Sequence, residues 1–263
     1  MAPRLLVEPG LAVGARVTLA PDVAHHVVRV LRLREGDTLV LFDGRGGEYP
    51  STLVQALPQA VARIERFDAV ERESPLHVTL VQALIGAERL DWVVEKATEL
   101  GVARLRIVAS ERGVVRLDGA RLRRREARWR EIVASACCQS GRTRIPEVDA
   151  TTLDEVLRAA DPGSTRLVLA PGAVESLASM PIATVPPTRL VLLVGPEGGW
   201  SPAELAAARA AGLKAVTLGP RTLRTETAGI AALAALQALA GDFAATGFAA
   251  GAANALTSTP TQP

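Results

Sequence analysis

Four consecutive apolar residues, Val191-Leu192-Leu193-Val194, run into the turn Gly195-Pro196-Glu197-Gly198-Gly199, and Ser201-Pro202-Ala203-Glu204 follows almost at once. An unbroken Val/Leu strand is buried on both faces, as in a parallel sheet covered by helices. A serine cap, a proline in the first turn and a glutamate three residues on make a strong helix start. Strand, glycine turn and helix therefore form one unit, and its rhythm recurs from Leu76 onward. Leu76–Ala83 reads as an apolar strand and Glu88–Leu100 as a helix with Leu90, Val93, Val94, Ala97 and Leu100 on one face, closed by Gly101. Arg104–Ala109 is the next strand. Helix Ala120–Gln139 gathers Leu122, Trp129, Ile132, Val133, Ala136 and Cys137 on one side and its arginines on the other. Thr152-Leu153-Asp154-Glu155 is a capping box, and strands follow at Arg166–Ala170, Arg189–Val194 and Ala215–Leu218. The last helix, Thr225–Ala240, is apolar almost all round and belongs in a core or a subunit interface. This alternation predicts an α/β domain.

The first 74 residues have a different texture. Short strands are expected at Arg16–Leu19, Thr38–Phe42, Tyr49–Ala56 and Val61–Phe67, interrupted by one helix from Asp22, as N-cap, to Leu31, with Val23, Val27, Val30 and Leu31 facing inward. That pattern suits a small β-barrel of the kind that presents a nucleic-acid surface. The charged stretch Glu71-Arg72-Glu73-Ser74-Pro75 marks the boundary, giving expected domains at 1–74 and 75–242 and a low-complexity tail at 243–263.

Several classes drop out. The N-terminus lacks the features of an export signal, the tail is too weakly apolar to span a membrane, and the adjacent pair Cys137-Cys138 makes no disulfide framework; a cytoplasmic protein is expected. No metal is expected, since His25, His26 and His77 with the cysteine pair give no ligand spacing. GxGxxG, GxxxxGK[ST] and GxSxG are all absent. The net charge is only +2, yet Gly101–Pro146 holds twelve Arg against four acidic residues. Such a basic segment, with Arg123 and Arg124 on the outer face of its helix, is an electrostatic footprint for phosphates. The glycine turn after Val194 lies where open α/β sheets bind ligands, at the carboxyl end of a strand; on its own it could equally be a tight turn with no ligand.

A second loop makes the pattern specific. After Ala215–Leu218 come Gly219-Pro220-Arg221 and then Leu223-Arg224-Thr225-Glu226-Thr227-Ala228, which enters the last helix. With it, in order, stand His25-His26-Val27-Val28-Arg29-Val30-Leu31-Arg32 followed by Gly36-Asp37, then Lys96-Ala97-Thr98-Glu99-Leu100-Gly101-Val102, Arg128-Trp129-Arg130-Glu131-Ile132, and Gln139-Ser140-Gly141-Arg142 with Pro146. Together these resemble the SPOUT class of methyltransferases and, within it, the ribosomal RNA small subunit methyltransferase E family, across most of residues 1–242. The resemblance implies a C-terminal α/β trefoil-knot domain, an N-terminal PUA-like β-barrel, a homodimer, and S-adenosylmethionine (SAM) as methyl donor to N3 of a uridine in 16S ribosomal RNA. It places Leu169, Leu193, Val194, Gly195, Pro196, Glu197, Gly198, Gly199, Leu218, Gly219, Leu223 and Arg224 around the cofactor, with Ala170-Pro171-Gly172 beside Leu169 as a further wall. Arg4, His25, His26, Arg29 and Arg32 become RNA contacts, joined by Arg123 and Arg124. Gln139, Arg142, Glu197 and Arg224 are the expected catalytic set: arginines on uracil or phosphate, Gln139 on a base edge, Glu197 for the N3 proton. Three of them have a plain alternative: Arg224 could pair with Glu226, Gln139 could cap its helix and Glu197 could only fix its loop. Gly86 and Gly113 depart from the family pattern, at positions where a basic residue and a serine are expected.

Overall fold

The structure, a computed structural model, describes residues 2–115, 118–159, 163–182 and 188–243. The expected tail, apart from Phe243, lies outside the described residues. The chain divides into two compact units, one of residues 1–73 with 128–146 and one of 74–127 with 147–263.

The first unit is built on β1 (Arg4–Leu6), β2 (Arg16–Thr18), α1 (Pro21–His25), β3 (Thr38–Phe42), β4 (Tyr49–Gln55) and β5 (Val61–Ile64). They form a mixed sheet in the order β1-β3-β4-β5-β2, in which only the β1–β3 pair is parallel. Alternating residues of these strands, Leu39 and Leu41, Leu53, Ala62 and Ile64, bury against Leu5, Leu19 and Val27. The expected helix differs in two ways. Ala20, not Asp22, is its cap, with Pro21 taking the first helical position. After His25 the helix widens into a π-helical turn, His26–Val30. The extra residue in that turn rotates the apolar stripe, so Val27 is buried while Val30 is 59% exposed. Arg32 then takes a left-handed conformation, φ 56°.

The second unit contains β6 (Leu76–Ala83), α2 (Ala87–Glu99), β7 (Arg104–Val108), the start of α3 (Gly119–Ser140), β8 (Glu147–Thr151), α4 (Leu153–Arg158), β9 (Thr165–Leu169), β10 (Glu175–Ser176), β11 (Thr188–Val194), α5 (Pro202–Ala210), β12 (Lys214–Thr217) and α6 (Thr225–Ala240). The sheet runs β10-β12-β9-β11-β6-β7-β8 with every pairing parallel. Its central strands β6 and β11 are the most apolar. The edge strand β8, Glu147-Val148-Asp149-Ala150-Thr151, has no apolar run; cross-strand pairs such as Arg106–Asp149 (3.1 Å) and Arg104–Glu147 (3.3 Å) accompany it. Both capping boxes form, at Thr152/Glu155 and Ser201/Glu204. Glu204 also accepts from the Glu111 backbone N–H at 2.9 Å, tying α5 to the loop after β7.

Two buried amides organise α6. Gln237 donates to the Leu100 carbonyl (2.8 Å) and accepts from the Ser74 hydroxyl (2.7 Å), fixing the helix beside the end of α2. Gln82, from the middle of the sheet, donates to Thr225 Oγ1 (3.0 Å), and Thr225 donates to the Gly195 carbonyl (2.5 Å). These bonds fix the start of α6 against the turn after β11.

Candidate active site

The carboxyl ends of β9, β11 and β12 adjoin in the sheet, and the loops leaving them enclose a cavity of about 580 Å³. Its wall includes Leu169, Ala170 and Pro171 from the first loop. Val194 and the whole run Gly195–Gly199 come from the second, and Leu218, Leu223 and Arg224 from the third. Of the residues expected around the cofactor, Leu193 and Gly219 are not in this wall. Strand alternation turns Leu193 into the core with Val81, Val168 and Trp200. Gly219, at φ 121°, reverses the chain, its N–H donating to Thr217 Oγ1 at 3.3 Å.

Local chemistry explains the glycines. A Cβ on Gly195 would lie 3.2 Å from the Trp200 ring and 3.3 Å from its backbone nitrogen, a tight contact that Trp200 would have to yield to by a few tenths of an ångström. Gly199 turns at φ 67°, its N–H bonded to the Pro196 carbonyl (2.9 Å). The result is a bare backbone surface beside an apolar wall. Trp200 is 6% exposed and its indole N–H finds no partner among the described residues. The rim is basic: Arg112, Arg221 and Arg224 stand there against the single acid Glu197. Arg112 also donates to the Gly198 carbonyl at 3.2 Å, holding the turn from outside. An apolar chamber with backbone donors and acceptors suits the flat adenine of SAM, and the arginines and glutamate in its wall suit the charged methionyl end.

Beside this cavity is an open groove of about 330 Å³ lined by Glu88, Arg89, Trp92, Glu226 and Thr227, from α2 and α6. Arg89 Nη1 lies 2.7 Å from Glu197 Oε1 and 3.9 Å from Glu226 Oε2. Sequence reasoning passed over Arg89 and Trp92; a tryptophan on the polar side of a periodic helix was the signal.

The four expected catalytic residues are divided between the units: Gln139 and Arg142 in the first, Glu197 and Arg224 in the second. Gln139 is exposed, while Arg142 is only 4% exposed and its guanidinium is paired with both oxygens of Glu73. Arg4, expected on RNA, is likewise engaged. It pairs with Glu48, lies over the Phe42 ring and donates to the Arg142 carbonyl at 3.1 Å. Burial alone would raise the Glu48 carboxyl, but Arg72 and Arg4 together hold it below the ordinary carboxylate value. His25, His26, Arg29, Arg32, Arg123 and Arg124 are exposed. The adjacent cysteines carry no nucleophile, since burial pushes the Cys137 thiol up to about 12 and Cys138 in the same direction. Among the described residues no His/Cys/Asp/Glu cluster could hold a metal, and no helix is long and apolar enough to cross a membrane.

Known proteins share this arrangement. The RNA methyltransferase domain family matches residues 72–237, and the RNA methyltransferase PUA domain matches residues 19–59. A Mycobacterium bovis protein named ribosomal RNA small subunit methyltransferase E is 40% identical over 232 residues, 86% of this chain and 87% of its own length. The chain belongs to the ribosomal RNA small subunit methyltransferase E family. A Synechocystis member is 34% identical over 91% of this chain and 78% of its own. The Neisseria gonorrhoeae member, solved with S-adenosylmethionine bound, superposes with a TM-score of 0.85 at 40% identity, over 92% of this chain and 100% of that one. A Legionella pneumophila protein solved with SAM has a TM-score of 0.87 at 35% identity, covering 92% and 99%. The family assignment makes the chain a methyltransferase of SPOUT type with a PUA-like N-terminal unit, and SAM its cofactor.

Proposed function

We propose that this chain methylates N3 of a uridine in the 16S RNA of the small ribosomal subunit, working in the cytoplasm as a homodimer whose SAM-binding loops form a trefoil knot. The observation that carries the reading is the three-loop cavity at the carboxyl ends of β9, β11 and β12, where Gly195–Gly199 and Leu218–Arg224 meet. SAM supplies an electrophilic methyl group on a sulfonium. The protein's share is placement: Gly195 packs closely on Trp200, and the Thr225–Gly195 bond fixes the turn that carries the donor. Methylation at N3 requires loss of the imide proton, so negative charge develops on the uracil oxygens. Arg221 and Arg224 on the rim are suited to receive that charge. On the first unit, His25, His26, Arg29 and Arg32 engage RNA phosphates, and Gln139 contacts a base edge. Arg142, held by Glu73, positions the turn that follows Gln139. Mass spectrometry of 16S RNA nucleosides from a deletion strain tests the assignment. Loss of 3-methyluridine, restored by this chain, is expected; an unchanged level defeats the reading.

A further inference from the structure

The groove beside the cofactor cavity answers a need that the cavity leaves open, a receiver for the uridine proton. We infer that the groove of Arg89, Trp92 and Glu226 is the seat of the target uracil, with Glu226 as the group that takes the N3 proton. The inference rests on the uridine-N3 reading above.

Position comes first. Glu226 lies in the first turn of α6, directly after Arg224 and Thr225, both of which line the donor cavity. Glu197 belongs to the cavity wall and touches Arg89 of the groove at 2.7 Å, so the two spaces share a boundary. A base in the groove and a donor in the cavity would meet across that boundary.

The chemistry then selects between the two carboxylates. Glu197 was the sequence-based choice for the proton, but its Oε1 already accepts from Arg89 and its side chain is 43% exposed. Glu226 is 13% exposed, and its Oε2 accepts no hydrogen bond among the described residues; Arg89, at 3.9 Å, balances its charge without occupying it. A shielded carboxylate with unused acceptor capacity is what a general base requires. The Watson–Crick edge of uracil presents acceptor, donor, acceptor. A carboxylate receives the central N3–H while the neighbouring guanidinium donates to a flanking carbonyl. Trp92, 41% exposed on α2, supplies a flat surface for the base. In the step itself the N3–H bond breaks and its proton passes to Glu226. The nitrogen pair forms the new N–CH3 bond as the C–S bond breaks, leaving its electrons on sulfur as a neutral thioether.

The test uses the full-length chain with small subunits purified from a strain lacking this methyltransferase. Glu226→Gln should lower kcat by about 100-fold or more, with SAM affinity by calorimetry within about twofold of wild type. Its residual rate should climb about tenfold per pH unit as the imide ionises unaided. Trp92→Ala should weaken subunit binding about tenfold, and Trp92→Phe should restore most of it. Quenching of tryptophan fluorescence by a uridine oligonucleotide should disappear in Trp92→Phe. A Glu226→Gln rate within threefold of wild type, a rate loss matched by lost SAM affinity, or subunit binding indifferent to Trp92 overturns the assignment. A wild-type chain that makes no 3-methyluridine defeats the earlier reading instead.

Discussion

Replacing Glu48 by Gln removes one negative charge from the first unit and little else. The carboxylate is 11% exposed and receives Arg4, itself 9% exposed, together with Arg72 at 3.0 Å. Breaking a buried pair by removing one partner costs about 3–5 kcal/mol, because the other charge stays behind in a poorly solvated place. Two features pull the figure to the low end. Arg72 is 42% exposed and recovers solvation, and Arg4 keeps the Arg142 carbonyl and the Phe42 face. A loss of about 3 kcal/mol follows, or about 6–12 °C in the melting temperature of a chain this size. Urea denaturation is the assay, in a background where Trp92 and Trp200 are Phe, which leaves Trp129 of the first unit as the only indole. The sign with pH is a second check. Glu48 is held below its ordinary value of 4.5, so its contribution is complete above that value and fades as pH falls through the lowered folded-state pKa. The gap between wild type and Glu48→Gln should therefore be full at neutral pH and close in acid. A gap under about 0.5 kcal/mol at neutral pH, or one that widens on acidification, refutes the reasoning.

Three further outcomes are expected. Gly195→Ala should weaken SAM binding about tenfold by calorimetry with an unaltered far-UV spectrum, since its Cβ would press 3.2 Å from Trp200 and open the turn. Ser201→Ala deletes the acceptor of the Glu204 N–H (3.1 Å) and should cost about 1 kcal/mol in chemical denaturation, with Ser201→Gly costing less. With its thiol pushed up to about 12, Cys137 should resist a disulfide thiol reagent at pH 8 in the native protein and react at once in denaturant; fast native labelling would contradict the burial.

What the sequence made legible follows from where the determinants lie. The helix Thr225–Ala240, the strand Leu76–Ala83 and the capping box at Ser201 were readable because residues within a few positions decide them. The short strands β1, β8 and β10 were not, since Arg4-Leu5-Leu6 or Glu175-Ser176 becomes a strand only through a partner far along the chain. The loops of the cavity could be found by their glycines and their place after strands, and their ordered motifs named the family. The arginines were harder. A guanidinium in a sequence reads as a surface charge, yet Arg4 and Arg142 are buried against Glu48 and Glu73, 44 and 69 residues away. The groove of Trp92 and Glu226 depends on two helices lying side by side, which no local pattern encodes.

The first unit is assembled from two stretches, 1–73 and 128–146, and the second stretch is anchored by Glu71–Arg144 (2.8 Å) and Glu73–Arg142 contacts. Synthesis therefore cannot finish this unit when its sheet has been made. The ribosome must add the β6-to-β7 segment and most of α3, and Pro146 must clear the exit tunnel, before the acids at 71 and 73 meet their partners. Until then those carboxylates lack their arginine partners. A fragment ending at residue 74 would stay in that condition permanently, so transplanting the first unit onto another enzyme calls for an insertion between its two pieces, not an end-to-end fusion.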